Sequence, residues 1–175
     1  MLLFSIFACG HVKDVHDHDH DEELITRIVL VLEDGNGDVQ SFTWSDPEQD
    51  GTPEIDTITL SAQSTYQVAV SFWNDLSDPV EEMTPEVASE AEEHMVIVMP
   101  QDLLTVSVID KDANGADLGL EQEWVTSDVG EDTLSLGLRH MPEQDGVSVK
   151  PTTFTDVESL SGEWDVLVDF PLLVE

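Results

Sequence analysis

The sequence predicts an all-β protein, an antiparallel immunoglobulin-like β-sandwich of about eight strands with one short helical insertion. Apolar and polar residues alternate in short segments, as in 39–44 and 134–138, which is typical of half-buried strands. Clusters of Gly, Asn and Asp, such as residues 33–38, separate these segments. Strands and helices do not alternate along the chain, so a sandwich is favoured over a βαβ architecture.

The first half of the predicted domain contains four strands. Residues 24–32 are apolar and rich in β-branched side chains, and residues 39–44 complete a hairpin with them across the turn cluster. An acidic loop with Pro and Gly follows at 46–56. Two further strands are predicted at 57–60 and 65–73, separated by a short turn.

One segment has helical spacing. Thr84, Pro85 and Glu86 offer an N-cap, a proline at the first helical position and an acid in the first turn. We therefore expect a short helix with an acidic outer side, which runs into a strand at 95–99. The apolar stripe of this segment comprises Val80, Met83, Val87, Ala91 and His94.

The remainder of the chain returns to strand spacing, with a second turn cluster between the first two strands. Strands are predicted at 103–109, 118–125, 134–138 and 164–170.

The N-terminal residues differ from this domain in composition. Residues 1–8 are apolar, and Ala8 precedes the single cysteine, Cys9, in a pattern that resembles a bacterial lipobox. We expect a lipoprotein signal peptide at 1–8, shortened by a start codon placed too far downstream. A lipidated Cys9 and a His/Asp-rich tether would then occupy 9–23, and the sandwich 24–175. The alternative is a short apolar N-terminus with a stray cysteine.

The net charge of -34, from 39 acids and five bases, limits the partners of this chain. Nucleic acid would be repelled, because phosphate binding requires clustered Lys and Arg. Divalent cations would instead be concentrated at the surface. The alternative explanation is solubility in high salt, where screening removes the self-repulsion of the acids.

The tether carries residues with metal-ligand chemistry. His16, His18 and His20 alternate with Asp17 and Asp19, and alternate residues of an extended chain point the same way. Imidazole with carboxylate suits Zn²⁺ or a similar divalent metal. The alternative is a solvated acidic linker.

A second segment fits the pattern of a calcium-binding loop. Asp110, Asp112 and Asn114 offer oxygens at alternate positions, Gly115 permits a sharp turn, and Glu121 would close the loop bidentately around Ca²⁺. The flanking segments are strand-like, however, and Asn-Gly is a strong hairpin-turn signal. A simple turn is therefore the alternative prediction.

Two further histidines lie inside the predicted domain. His94 is on the apolar stripe and His140 follows a strand. We interpret both as structural residues, since a lone histidine in such a place is more often part of the packing than a ligand. The competing hypothesis is a paired metal site formed with Glu90 and Glu93.

No catalytic motif is present in the sequence. Glycine-rich phosphate loops, a nucleophile elbow and a helical H-E-x-x-H pattern are absent, and the single thiol is assigned to lipid. We therefore predict that the protein is not an enzyme.

Several short motifs, in order, resemble small bacterial envelope lipoproteins with a His/acid-rich tether, which are often labelled "type 1 periplasmic binding fold superfamily protein". The motifs are Glu22-Glu-Leu-Ile-Thr26, Thr65-Tyr66 leading to Asn74, Met83-Thr-Pro-Glu-Val87 with Glu92-Glu-His94, Asp110-x-Asp-x-Asn-Gly115 with Leu118-Gly-Leu120, Leu138-Arg-His140-x-Pro142, and Gly162-Glu-x-Asp-Val166. The label implies two α/β lobes, whereas the strand spacing of this chain predicts a sandwich. The resemblance supplies no catalytic residues.

Together these observations predict a cell-envelope protein, lipid-anchored on the periplasmic side or the outer-membrane surface. It would bind a zinc-like divalent metal through its tether and its sandwich, and hand it to an envelope transporter or receptor. The alternatives are a non-enzymatic surface interaction module, whose acidity serves solubility, and a solute-binding lipoprotein.

Overall fold

Two facing β-sheets make up the part of the chain that the computed structural model describes, residues 23–175, and they confirm the predicted all-β sandwich. Eleven strands, one short helix and one 3-10 turn are present in this part. The elements are β1 (Arg27–Asp34), β2 (Val39–Ser45), β3 (Glu54–Ile55), β4 (Ile58–Leu60), β5 (Thr65–Asn74), β6 (Glu81–Glu82), α1 (Thr84–Ser89), β7 (His94–Met99), β8 (Leu104–Val108), β9 (Glu121–Thr126), β10 (Gly130–His140), the 3-10 turn (Val157–Ser159) and β11 (Glu163–Val174).

The strands divide unequally between the sheets. The larger sheet has the order β3-β2-β1-β5-β9-β8, with β6 also paired to β5, and the smaller sheet has the order β4-β11-β10-β7. Neighbouring strands are antiparallel except β4 and β11, which run parallel. The edge strands are therefore β3 and β8 in the larger sheet, and β4 and β7 in the smaller sheet.

The core lies between the sheets because alternate side chains of each strand point inward. In β1 the inward residues Ile28, Leu30 and Leu32 are fully buried. Burial of each such side chain contributes about 1.5–3 kcal/mol. Trp124 is also fully buried, and its indole nitrogen donates to Oε1 of Gln122 at 2.8 Å, so the polar end of the ring is satisfied.

The smaller sheet is covered on its outer face too. A second apolar cluster of Met95, Ile97 and Met141 lies there, beneath the segment 141–162. Lys150 anchors this segment, since its Nζ donates to Oδ2 of Asp112 at 2.9 Å and to the carbonyl of Ala91 at 2.6 Å. Burial on both faces explains why β7 reads as a continuous apolar run rather than an alternating one.

Some predicted boundaries were wrong. The helix ends at Ser89, and the chain turns through a bond from the Glu93 amide to the Glu90 carbonyl (2.9 Å), so His94 begins a strand rather than continuing a helical face. Strand β9 begins at Glu121 instead of 118, because the amides of Gly119 and Leu120 donate to the carboxylate of Asp110. Within residues 23–175, the helices are all too short and too polar to cross a bilayer.

Candidate metal centre

Two histidines meet at one end of the smaller sheet. His94 is the first residue of β7 and His140 the last of β10, and the antiparallel register makes them direct partners. Their rings stack with centroids 4.6 Å apart and planes inclined by 15°. His94 is fully buried and the His140 side chain is 12% exposed. Residues that are 46 positions apart in the chain therefore present two imidazoles at one point.

A carboxylate reaches the same point from the larger sheet. Glu23 and Ile25 are buried while Leu24 is exposed, so the chain that leads into β1 already alternates. Thr26 ties this segment to the larger sheet, because its amide donates to the carbonyl of Trp73 at 2.9 Å. Oε1 of Glu23 lies 3.0 Å from Nε2 of His94. The second oxygen, Oε2, is buried and accepts no hydrogen bond from the described residues.

A second carboxylate arrives through an irregularity in β11. Leu138 pairs with Val166 whereas Arg139 pairs with Trp164, so Asp165 is an extra residue in the ladder. Such a β-bulge re-aims a side chain that regular pairing would place elsewhere. The Asp165 side chain is 2% exposed, and its Oδ2 lies 3.8 Å from Nε2 of His94.

The orientation of the His94 ring is fixed by the turn that precedes β7. Nδ1 lies 3.2 Å from the carbonyl oxygen of Glu90, and because a carbonyl only accepts, Nδ1 carries the proton. Nε2 then faces Glu23 and Asp165, with a lone pair when the ring is neutral. This is the arrangement of a metal-binding histidine, whose other ring nitrogen donates to a carbonyl or carboxylate.

Glu23 and His94 shift each other's pKa values. Burial raises the pKa of Glu23, but the hydrogen bond and positive charge of His94 outweigh it and hold that pKa below its usual value. Burial lowers the pKa of His94, but the contact with Glu23 and the charge of Asp165 outweigh it and raise that pKa. The site therefore favours a positive charge at the position of Nε2.

Further acids lie near the cluster of Glu23, His94 and His140. Nε2 of His140 lies 3.6 Å from Oε2 of Glu93, whose side chain is 27% exposed. Burial raises the pKa of Glu86, and the negative charges of Glu23 and Glu90 raise it further. These groups create a negative potential that attracts cations.

Glu23, His94 and His140 could together hold a metal ion. One ligand atom from each lies within 4.8 Å of the others. Two imidazoles and a carboxylate form a ligand set that zinc uses in proteins. Within residues 23–175, no other group of three or more His, Cys, Asp or Glu side chains converges in this way.

The tether and the proposed lipidation site lie outside the described residues. This applies to Cys9, His16, Asp17, His18, Asp19 and His20. Zinc binding by the tether therefore stays a prediction.

The predicted calcium loop contains acids whose oxygens already have partners. Oδ1 of Asp112 accepts from the amides of Asn114 and Ala116 (both 2.9 Å), and Oδ2 accepts from Nζ of Lys150. Asp110 accepts from two amides beyond the turn. Glu121 is exposed at the start of β9. These contacts favour the turn interpretation, and an ammonium group occupies the carboxylate that calcium would need.

The site was only partly foreseen in the sequence. His94 and His140 were singled out, and the structure brings them together, but Glu90 contributes its backbone carbonyl rather than its side chain. Sequence reasoning missed Glu23 and Asp165. Glu23 stands at the end of an acidic run, and Asp165 interrupts the apolar alternation of β11, which is the one local signal available for it.

Comparisons with protein-family models, with curated proteins and with solved structures found no match to this chain.

Proposed function

We propose that this chain is a divalent-metal-binding protein of the bacterial envelope, with a zinc-like ion held by Glu23, His94 and His140. The observation that carries the proposal is the buried Nε2 of His94, which faces two carboxylates while Nδ1 donates to a carbonyl. The envelope location rests on the lipobox-like sequence at Cys9.

A cation at this point would resolve an electrostatic conflict. A neutral His94 places a lone pair against Glu23 Oε1 at 3.0 Å, and the other oxygen of Glu23 is buried with no hydrogen bond from residues 23–175. Burying charge without compensation is costly, so a positive centre is required. Protonated His94 is the competing candidate for that centre, and it would make the cluster a purely structural ion pair.

The donor set favours zinc over calcium. Two imidazole nitrogens suit Zn²⁺, Cu²⁺ or Ni²⁺, whereas Ca²⁺ takes six to eight oxygens. Zinc–ligand bonds of about 2.0–2.1 Å on a tetrahedron place ligand atoms about 3.3–3.4 Å apart. The distance from His94 Nε2 to Glu23 Oε1 is 3.0 Å, and one ligand atom each from Glu23, His94 and His140 lies within 4.8 Å of the others, so small side-chain shifts would bring the three to this spacing.

The test is a zinc competition titration on the full chain after chelator treatment, with metal content measured on the purified protein. Because the tether also offers histidines, the reference protein carries His16→Ala, His18→Ala and His20→Ala. We expect one tight zinc site per chain to remain in this variant.

Adding His140→Gln to that background should abolish the tight site, since glutamine keeps the size of the side chain but offers no imidazole. Glu23→Gln provides a second variant in case the first unfolds, and circular dichroism checks that both keep their strand content. A tether variant that binds no zinc, copper or nickel tightly would overturn the proposal and leave His94 as an imidazolium.

A further inference from the structure

We infer that the metal is a clasp between the two sheets, with Asp165 as the fourth ligand of a closed site. This rests on the proposed function and assigns that site a structural role, the attachment of the N-terminal segment to the smaller sheet. The ligands come from both sides of the sandwich. Glu23 lies in the segment that leads into β1 of the larger sheet, whereas His94, His140 and Asp165 lie in β7, β10 and β11 of the smaller sheet.

The position of Asp165 supports a closed site. A catalytic zinc keeps one coordination position for water, whereas a structural zinc has four protein ligands. Asp165 brings a side chain that is 2% exposed to within 3.8 Å of His94 Nε2. The bulge that aims it inward interrupts an otherwise regular pairing of eleven residues of β10 with β11. Asp165 lies just outside the group whose ligand atoms are within 4.8 Å of one another, and a small shift of its side chain would complete four protein ligands and leave no coordination position for water.

The attachment of Glu23 supports the clasp. Glu23 precedes β1 and is the first described residue, and no strand pairing holds it. The nearest tie to the larger sheet is at Thr26, three residues further along. Coordination would join this end to His94 and His140, which belong to the opposite sheet. Metal binding would therefore immobilise the segment 23–26.

Two measurements on the full chain test this inference, both in the background that lacks the three tether histidines. Hydrogen exchange of residues 24–28 is measured with zinc and with chelator, because local opening of a chain end is reported directly by its amides. Cobalt in place of zinc reports coordination through its visible absorption, and added azide changes that spectrum when a position is open.

We expect zinc to slow exchange at residues 24–28 and azide to leave the cobalt spectrum unchanged. Asp165→Asn should weaken zinc binding by more than about 100-fold, because losing even a hydrogen-bond partner of a ligand costs about 10–100-fold. Glu23→Gln should remove the zinc-dependent protection. The matched controls are Asp169→Asn, an exposed acid of the same strand, and Glu33→Gln, an exposed acid of β1.

The outcomes separate the inference from the proposed function. No tight zinc site in the background protein means that the proposed function fails. Tight binding that needs His94 and His140, but is as strong in Asp165→Asn as in Asp169→Asn, means that the site is open and the inference is wrong. Tight binding without protection of residues 24–28 likewise contradicts the clasp.

Discussion

Two regions of this protein bury acidic side chains, and they satisfy them in different ways. In the turn at residues 110–117, Asp112 accepts hydrogen bonds from two backbone amides of the turn and pairs with the ammonium of Lys150, which belongs to the segment 141–162. In the cluster of Glu23, His94, His140 and Asp165, two carboxylates instead lie close to the buried Nε2 of His94, and a second histidine stacks on its ring. A calcium-loop pattern in the sequence therefore shows only that oxygen ligands are present. Whether they bind a cation depends on whether other groups of the protein already occupy those oxygens.

The largest expected effect comes from removing Lys150, the cation that pairs with Asp112 of the turn. Lys150→Met would leave Asp112 unpaired, and both side chains are 1% exposed. Breaking such a pair typically costs about 3–5 kcal/mol of stability, because one charge remains buried. Denaturant unfolding at neutral pH measures it.

The matched control is Lys111→Met. Lys111 contacts Asp117 but is 47% exposed, so this change should cost no more than about 1 kcal/mol. Equal losses in the two variants would mean that burial does not distinguish these pairs, and the contrast between the two regions would lose its basis.

The next effect is the stabilisation of the histidine cluster by metal. Zinc at one hundred times its Kd should raise the free energy of unfolding by about 2.7 kcal/mol, because it binds the folded chain selectively. The gain should disappear in His140→Gln but persist in Lys150→Met. A comparable gain from calcium, dependent on Asp112, would transfer the cation site to the turn.

An effect of similar size should come from the glycine that supports His140. Gly162 has φ +73°, and a Cβ there would lie 1.8 Å from the carbonyl oxygen of His140. Gly162→Ala should therefore displace the end of β10 and cost about 1–3 kcal/mol beyond the backbone strain. Gly146→Ala is the control, with φ +74° and nothing within 4 Å of its Cβ.

Chemical unfolding of both alanine variants, with a zinc titration of each, separates strain from displacement. Both should lose the stability that a positive φ costs, about 1–2 kcal/mol. Only Gly162→Ala should also weaken zinc binding. If the two variants bind zinc equally well, the position of His140 does not depend on Gly162.

The smallest expected effect is the pH dependence of the turn. Burial raises the pKa of Asp112, but Lys150 and the backbone amides outweigh it and hold that pKa below its usual value of 3.8. The stability that this shift contributes is complete above the unfolded value and is lost as the pH falls through the folded one. The stability difference between the wild type and Lys150→Met should therefore shrink in acid. A difference that stays constant between neutral pH and the lowest pH at which both fold would contradict this.

The strands were predictable because their signal is local, whereas the site was predictable only in part. Alternation in residues 27–34 or 134–138 is read directly from neighbouring residues. Glu23, His94 and His140 meet through the register of β7 with β10 and the packing of two sheets, which no local pattern contains. The prediction that His94 lies on the apolar face of the helix was wrong for a related reason. His94 continued its spacing, but the turn at Glu90–Glu93 and the strand that follows overrode that spacing.

Because Asp165 is an extra residue in β11, evolution can remove it without disrupting the fold. Deleting Asp165 would place Trp164 and Val166 next to each other opposite Arg139 and Leu138, which restores a continuous ladder. Loss of one in-frame codon would therefore remove the proposed fourth ligand and at the same time make the sheet more regular. Under the proposed role of Asp165, related chains that do not bind metal are expected to carry that deletion, which an alignment would show as a gap at this position.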